Sequence, residues 1–492
     1  MKITLITKPI ASLAIFCSAA LFNSCTSQNL QKETANKPNV VLIVVDDLGW
    51  TDLGVYGSDF YQTPNIDKLA KEGMRFTDAY ASCTVCSPTR ASILTGKYPA
   101  RLHLTDWITG HERHYAQLKI PNWTQYLVPD EYTLAETFRD NGYRTYHIGK
   151  WHLGDEEKDW PEHHGFDKNV AGHRAGSPKA HNGGGYFSPY NNPRLSDGPE
   201  NEYLTERLTS EVEGIIKETK SDPFFINFWF YNVHTPLQAV QEKVAKYEKQ
   251  VDKNKHHQNP TYAAMVEHVD EAVGKVMKVL EENGVAENTI ILLTSDNGGL
   301  VNAKKMVTSN YPLRSGKGDM YEGGVRIPLI VKWKNNIGED KVSHLPTSSV
   351  DLYPTIMELA GLTFQDKKQQ FDGISLAQHV LTNAKPKARN IYWHYPHYHR
   401  GGAVPHSAVR SGDWKYIVNY ETNSKALYNL KNDIGEKENL IDTQKEKAKE
   451  LSAQLGKWLL EVDGQLPTKN DLFDKAKEFK WSISKSGTYR EK

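Results

Sequence analysis

Asn39-Val40-Val41-Leu42-Ile43-Val44-Val45, followed at once by Asp46-Asp47, is a β-branched run with no polar alternation. A strand with one wet face alternates apolar and polar residues, so this one reads as covered on both faces within a parallel sheet. Two adjacent carboxylates at the end of such a strand are costly unless paired, and open α/β sheets bind ligands at that edge. Gly49 permits the competing reading of a solvated turn. Two like charges this close to a core favour a bound cation instead.

A second strand of the same kind, Thr289 to Thr294, runs into Ser295, Asp296, Asn297, Gly298 and Gly299. Before it, Met265, Val269, Val273, Val276 and Leu280 recur at helical spacing between Tyr262 and Glu282, which gives a helix feeding a parallel strand. Asp46, Asp47, Asp296 and Asn297 then form an all-oxygen set, which selects Ca²⁺ or Mg²⁺ over zinc. Three further segments end at the same kind of edge. Thr133 to Asn141 reads as a helix and Tyr143 to Ile148 as the strand leading into Gly149-Lys150-Trp151-His152. Phe224 to Tyr231 reads as a strand ending before His234-Thr235-Pro236, and a glycine-rich loop from Gly316 through Lys317 to Pro328 precedes the buried strand Leu329 to Val331. Each is weak alone, and Lys150 with His152 could be mere surface.

The segment Cys86-Ser87-Pro88-Thr89-Arg90-Ala91-Ser92-Ile93-Leu94-Thr95-Gly96 reads as a helix, with proline in its first turn and Cys86 at its N-terminus. A group placed there meets free N–H donors and the positive end of the helix dipole, which suits an anion. Arg90, four residues on, brings a permanent cation to the same face. On spacing alone, Cys83 with Cys86 could equally be a disulfide or half a metal site.

The residues that follow Cys86 resemble the signature of the formylglycine-dependent sulfatases of the alkaline phosphatase superfamily. The double aspartate, Cys-x-Pro-x-Arg, Gly-Lys-Trp-His, His-Thr-Pro, Asp-Asn-Gly and Gly-Lys-Gly…Glu-Gly-Gly blocks occur in that family's order from about Asn39 to Leu440. The resemblance implies a large mixed, mostly parallel α/β sheet flanked by helices, and a smaller C-terminal α+β part with a four-stranded antiparallel sheet. It implies that Asp46, Asp47, Asp296 and Asn297 hold calcium together with residue 86. Cys86 would be converted by a maturation enzyme to formylglycine, hydrated to a geminal diol. Arg90 and Lys150 would stabilise that diol, Lys150 and Lys317 would bind sulfate oxygens, and His152 and His234 would move protons.

The 492 residues are long for one compact domain, and 60 basic against 60 acidic residues give no global field that would point to nucleic acid. Residues 1–24 read as an export signal, with Lys2 and Lys8 before an apolar run too short to span a bilayer. Leu21-Phe22-Asn23-Ser24-Cys25 resembles a lipobox, so Cys25 would carry a lipid and 25–38 would be a tether for a periplasmic or cell-surface protein. Residues 39–384 form the expected catalytic unit and 385–492 the smaller one, with strands across Ala408 to Val418 and Lys425 to Leu430 and a helix over Lys445 to Val462.

A sulfated glycan is the expected substrate, galactose or N-acetylgalactosamine sulfate attacked from a chain end. Arg101, His103, Asp106 and Trp107 after the nucleophile helix, His173, Arg174 and His181 in a Gly-rich loop, and the aromatic run Ile391 to Arg400 are candidates to meet sugar rings. Arg174, His173, His394 and His397 are singled out as sugar-binding. Two alternatives stay open: a phosphonate or phosphate ester hydrolase of the same superfamily, and a catalytically silent glycan-binding lipoprotein.

Overall fold

The computed structural model describes residues 37–178, 184–219, 222–301, 307–363 and 369–483, with the backbone alone of 487–488. The export signal, Cys25, most of the tether and His181 lie outside the described residues.

Nine strands build the main sheet: β1 (Asn39–Val45), β2 (Met74–Tyr80), β3 (Arg144–Gly149), β4 (Lys168–Val170), β5 (Phe224–Trp229), β6 (Thr289–Ser295), β7 (Arg326–Trp333), β8 (Lys341–Ser343) and β9 (Thr347–Ser348). They run in the order β8-β2-β7-β6-β1-β5-β3-β4, with β9 also on β2. Only β7 is reversed; it pairs antiparallel with β2 and β6, and every other pairing is parallel. The sheet is therefore mixed and mostly parallel, as expected.

The missing alternation in β1 has its cause in two helical layers. Among the described residues eight helices have seven residues or more: α1 (Pro64–Lys71), α2 (Cys86–Thr95), α3 (Leu134–Asp140), α4 (Leu204–Glu218), α5 (Gln241–Glu248), α6 (Pro260–Glu282), α7 (Leu352–Leu359) and α8 (Lys445–Glu461). Val41, Ile43 and Val45 pack into one core with α4, α5 and α6, while Val40, Leu42 and Val44 pack into the other with α2, α3 and α7. Each such buried side chain contributes roughly 1.5–3 kcal/mol, which fixes the register. No helix among the described residues is long and apolar enough to cross a membrane.

A second, four-stranded antiparallel sheet follows: β10 (Asn390–Tyr395), β11 (His406–Ser411), β12 (Trp414–Asn419) and β13 (Lys425–Asn429), with α8 packed across it. Leu451 and Leu455 of α8 face the core, whereas Leu460 is 86% exposed because its position on the helix puts it on the opposite face. The two sheets share cores: Trp393 and Tyr395 pack with Tyr80, Cys83 and Val85. Charge also bridges them. Lys415 of β12 lies 2.8 Å from Glu322 and 3.1 Å from Glu436, all three fully buried. Arg101 grips Asp372 with two nitrogens, and His103 Nε2 lies 3.0 Å from the Asp463 carbonyl oxygen. Arg101 and His103 are thus fasteners of the fold and not sugar contacts.

His394 also belongs to this structural category, against the expectation that it binds sugar. Its Nδ1 lies 2.6 Å from Ser407 Oγ and its Nε2 2.9 Å from the Gln465 carbonyl oxygen, in the interior of the second sheet. Burial pushes its pKa from 6.5 down to about 4. The unfolded chain therefore binds a proton here that the folded chain refuses, so its contribution to stability is present above pH 6.5 and is lost as pH falls to about 4. The full difference is about 3 kcal/mol. Urea midpoints should fall over that window, and His394→Gln should make the fall shallower; an unchanged slope would show that another group governs it.

Candidate active site

β1 and β6 are parallel neighbours with Val45 opposite Ser295, so their C-terminal ends deliver Asp46-Asp47 and Asp296-Asn297 side by side. The Ser295 hydroxyl locks the two ends, donating to the Val45 carbonyl at 3.0 Å and accepting from the Leu48 N–H at 3.1 Å. Asp47 takes a left-handed backbone, φ 59°, so two successive carboxylates need not point to opposite faces. The Asp47 N–H donates to Asp296 Oδ1 at 3.1 Å, and Asn297 Nδ2 donates to Asp47 Oδ1 at 2.8 Å.

Three cations converge on this cluster. Arg90, one turn into α2, donates from Nε to Asp296 Oδ2 at 2.8 Å and lies 3.8 Å from Asp46 Oδ1. Lys150 comes from the end of β3. There Gly149, φ 104°, passes so close to β5 that a Cβ would lie 1.9 Å from the Trp229 carbonyl oxygen, a position only glycine fills. Lys150 Nζ then sits 2.6 Å from Asp46 Oδ2. Lys317 Nζ lies 2.5 Å from Asp47 Oδ1 and 3.8 Å from Cys86 Sγ.

Burial raises all three carboxylates, and the cations oppose it to different extents. Asp46 ends well above the usual carboxylate range, because its burial and its acidic neighbours outweigh Lys150. Asp47 ends well below it under Lys317, His234 and Lys150, and Asp296 is lowered by Arg90 and Lys150. The donors do not saturate the acceptors. Asp46 Oδ1, Asp47 Oδ2 and Asn297 Oδ1 are buried without a hydrogen-bond donor, and an acceptor-only oxygen set is what a hard divalent cation takes. One ligand atom each from Asp46, Asp47 and Cys86 lies within 4.8 Å of the others. These residues fit a metal ion. Asn297→Ala should weaken binding of a divalent cation roughly tenfold or more, read by calorimetry on metal-stripped protein; unchanged affinity would remove Asn297 from the ligand set.

Cys86 is the first residue of α2, whose N-cap Val85 supplies no side-chain cap. Neither it nor Cys83 forms a disulfide, and both are buried. Burial raises the Cys86 thiol pKa despite Lys150 and Lys317, so it is not a ready thiolate. Burial likewise pushes Cys83 up to about 12.

Two histidines flank Cys86 in opposite tautomers. His152 holds Nε2 against the Ile108 carbonyl, so Nε2 carries the hydrogen and Nδ1, buried without a partner, keeps its lone pair. Burial, then Lys150, keeps this ring neutral. His234 bonds through Nδ1 to the Thr235 carbonyl at 2.6 Å and turns Nε2 towards Asp47 Oδ2, 3.7 Å away. Burial, then Lys317, brings its pKa down to about 4.

Above them opens a cleft of about 900 Å³ lined by Cys86, His152, His234 and Lys317 at its base. Arg174 reaches it, paired with Asp155 at 3.1 Å. His173 does not: it is buried against Trp160, and its carbonyl accepts the His152 N–H. His397 is also a correction, buried edge-on to Trp123 with Nε2 2.8 Å from Thr105 Oγ1. Asp106 lies below the cleft, where it accepts the Tyr395 hydroxyl at 2.8 Å and burial pushes its pKa up to about 8. Of the run Ile391 to Arg400 only its end, Tyr398, His399 and Arg400, lines the cleft, because these residues follow the end of β10 and leave the sheet; Trp107 lines it as expected, and His111 is a wall residue that the sequence reading missed.

Comparison with known proteins places this geometry. The sulfatase family profile matches residues 38–362, and that of the C-terminal part of N-sulphoglucosamine sulphohydrolase matches residues 316–465. A sulfatase of Formosa agariphila is 33% identical over 84% of this chain and 86% of its own. The N-acetylgalactosamine-6-sulfatase of Sus scrofa is 34% identical over 77% of this chain and 71% of its own. The crystal structure of Ps i-CgsB in complex with k-i-k-neocarrahexaose superposes with a TM-score of 0.73 at 30% identity, covering 89% of this chain and 96% of that one.

Proposed function

The chain belongs to the sulfatase family and is a sulfuric ester hydrolase, and on that premise we propose that it removes sulfate from a sulfated glycan with residue 86 as the nucleophile. The observation that carries this is the placing of Cys86 at the uncapped start of a buried helix, 3.8 Å from Lys317 and beside the under-donated Asp46–Asp47 pair. Relatives that act on or bind sugars, the N-acetylgalactosamine-6-sulfatases and the carrageenan-bound structure, support a glycan and favour galactose or N-acetylgalactosamine sulfate.

A sulfate ester is an anion with a poor alkoxide leaving group, so the site must neutralise charge, supply an oxygen nucleophile and protonate the departing oxygen. Lys317 and Lys150 take the sulfate oxygens, and Arg90 holds Asp296 and Asp46 in place. Asp46, Asp47, Asp296 and Asn297 would hold a calcium ion, which supplies positive charge for the developing negative charge. Oxidised to formylglycine and hydrated, residue 86 offers one hydroxyl to attack sulfur and a second whose deprotonation releases sulfate. The free Nδ1 of His152 is the base for that second hydroxyl. Burial, then Lys317, keeps the His234 ring neutral beforehand; binding of the anionic ester offsets Lys317, so that Nε2, facing the cleft, takes a proton from solvent and delivers it to the leaving oxygen.

Purified protein should release sulfate from a panel of galactose and N-acetylgalactosamine sulfates of defined position, and the tryptic peptide carrying residue 86 should be lighter than its cysteine form. Faster release of phosphate from matched phosphate esters would favour the phosphoryl-transfer alternative, and intact Cys86 in active protein would overturn the nucleophile. Export with lipidation at Cys25 belongs to the same proposal. Labelled palmitate should enter the wild-type chain and not Cys25→Ala.

A further inference from the structure

The cleft holds more positive charge than one sulfate ester uses. At its base Lys317 is matched by Asp47, the buried Lys150 is matched by Asp46, and at the wall Arg174 is matched by Asp155. Arg400 is different. It lines the cleft, yet among the described residues it has no carboxylate partner.

Arg400 is exposed, and what sets it apart from other surface arginines is an aromatic neighbour brought from a remote part of the chain. Its guanidinium lies 6.0 Å from the Trp481 ring centroid, at the outer range of a cation–π contact. Trp481 comes from the far end of the chain, which is fastened on both sides of Arg400. Ser482–Ile483 pairs antiparallel with His111–Glu112, and Trp481 meets the His111 ring edge-on at 6.3 Å. Arg113 lies 4.5 Å from both the Tyr398 and Phe479 rings, and its Nε donates to the Glu478 carbonyl at 2.7 Å. The C-terminal tail thus ties down the segment carrying His111 and the loop carrying Arg400 together. An exposed guanidinium with no carboxylate partner has its N–H edge available for two oxygens of an anion.

We propose that Arg400, positioned by Trp481, binds a second anionic group of the substrate, a sulfate or carboxylate on the sugar bearing the scissile ester or on its neighbour. This rests on the glycan-sulfatase reading and narrows it to polyanionic glycans. Arg400 does not touch the reacting atoms; it selects the substrate, and Trp481 acts only through it.

The test is calorimetric binding to the full-length Cys86→Ala chain, which lacks the nucleophile. The probes are galactose and N-acetylgalactosamine disaccharides with one sulfate, two sulfates, or one sulfate and one carboxylate. A second anion should tighten binding roughly 10- to 100-fold, and Arg400→Ala should remove that gain. Arg400→Lys should keep part of it. Trp481→Ala should lose most of it and Trp481→Phe should restore it, a rescue that loss of folding would not show. The two kinds of second anion tell sulfate from carboxylate recognition. A panel in which the second anion brings no gain, or a gain that survives Arg400→Ala, overturns the proposal. Turnover of singly sulfated sugars by the unaltered chain is a separate measurement, so the sulfatase reading and this one fail independently.

Discussion

Cys86→Ala is expected to abolish turnover while leaving the fold and the metal site in place. Residue 86 begins α2, where alanine is a good helix former, and no hydrogen bond that holds the sheet edge together passes through its side chain. Removing one buried sulfur costs about 1–2 kcal/mol, little against the two cores that cover β1 on both faces. The catalytic loss should be of a different order. Loss of a nucleophile typically costs about 10⁶-fold, because nothing else at the site can form the bond to the substrate. Affinity for a divalent cation should fall only modestly, since the aspartates and Asn297 remain. Cys86→Ser separates the chemistry further: a single hydroxyl can attack but provides no second hydroxyl to drive sulfate out, so steady turnover should also be lost. A sizeable fraction of wild-type activity in Cys86→Ala would refute residue 86 as nucleophile. Cys83→Ala should remain active, because Cys83 packs among Tyr80, Val85 and Trp393 and does not line the cleft.

Asp296→Ala should fail by another route. It removes a carboxylate of the candidate metal cluster and also strands Arg90, whose Nε and Nη2 lie 2.8 and 2.7 Å from Asp296 Oδ2 in a fully buried site. Leaving one partner of such a pair uncompensated costs about 3–5 kcal/mol, so lowered stability should accompany lost activity.

What could be read from the chain and what could not follow from the range of the forces involved. The runs Asn39–Val45 and Thr289–Ser295 declared themselves because burial on both faces erases alternation, a local property of sequence. The carboxylates at their ends were readable for the same reason: the strand fixes where its next residues emerge. The histidines of the aromatic run were misassigned because His394 and His397 differ from His399 only in tertiary surroundings. His394 sits within β10 and finds Ser407 on the adjacent strand; His399 has left the strand and abuts the Lys317 loop, where a Cβ on Gly318 would lie 2.0 Å from its Nδ1. The joining of the sheets through Glu322, Lys415 and Glu436, and the return of Trp481 to the cleft, depend on contacts between residues far apart in the chain and leave no periodic trace.

His234→Ala should separate two classes of ester. If His234 Nε2 protonates the leaving oxygen, the loss should be largest where the leaving group is a sugar alkoxide and small where it is a nitrophenolate that departs unaided. General acid catalysis is typically worth about 10²–10⁴-fold, so the variant should lose about that factor on a sugar sulfate and far less on an activated aryl sulfate. His152→Ala should act differently. Its Nδ1 is the lone pair left free when Nε2 is held by the Ile108 carbonyl, and a base that acts on residue 86 itself is blind to the leaving group. Both esters should therefore slow by a similar factor in that variant. The comparison is made at fixed pH for each ester as kcat/KM for His234→Ala, which acts up to departure of the leaving group, and as kcat for His152→Ala, which acts after it; the two histidines are expected to differ in the ratio between substrates and not in the size of either loss. Equal losses on both esters for His234→Ala, with the leaving-group dependence appearing in His152→Ala, would exchange the two roles. That exchange would place the acid on the ring whose buried nitrogen has no partner, whereas Asp47, 3.7 Å from His234 Nε2, favours the protonated form on His234.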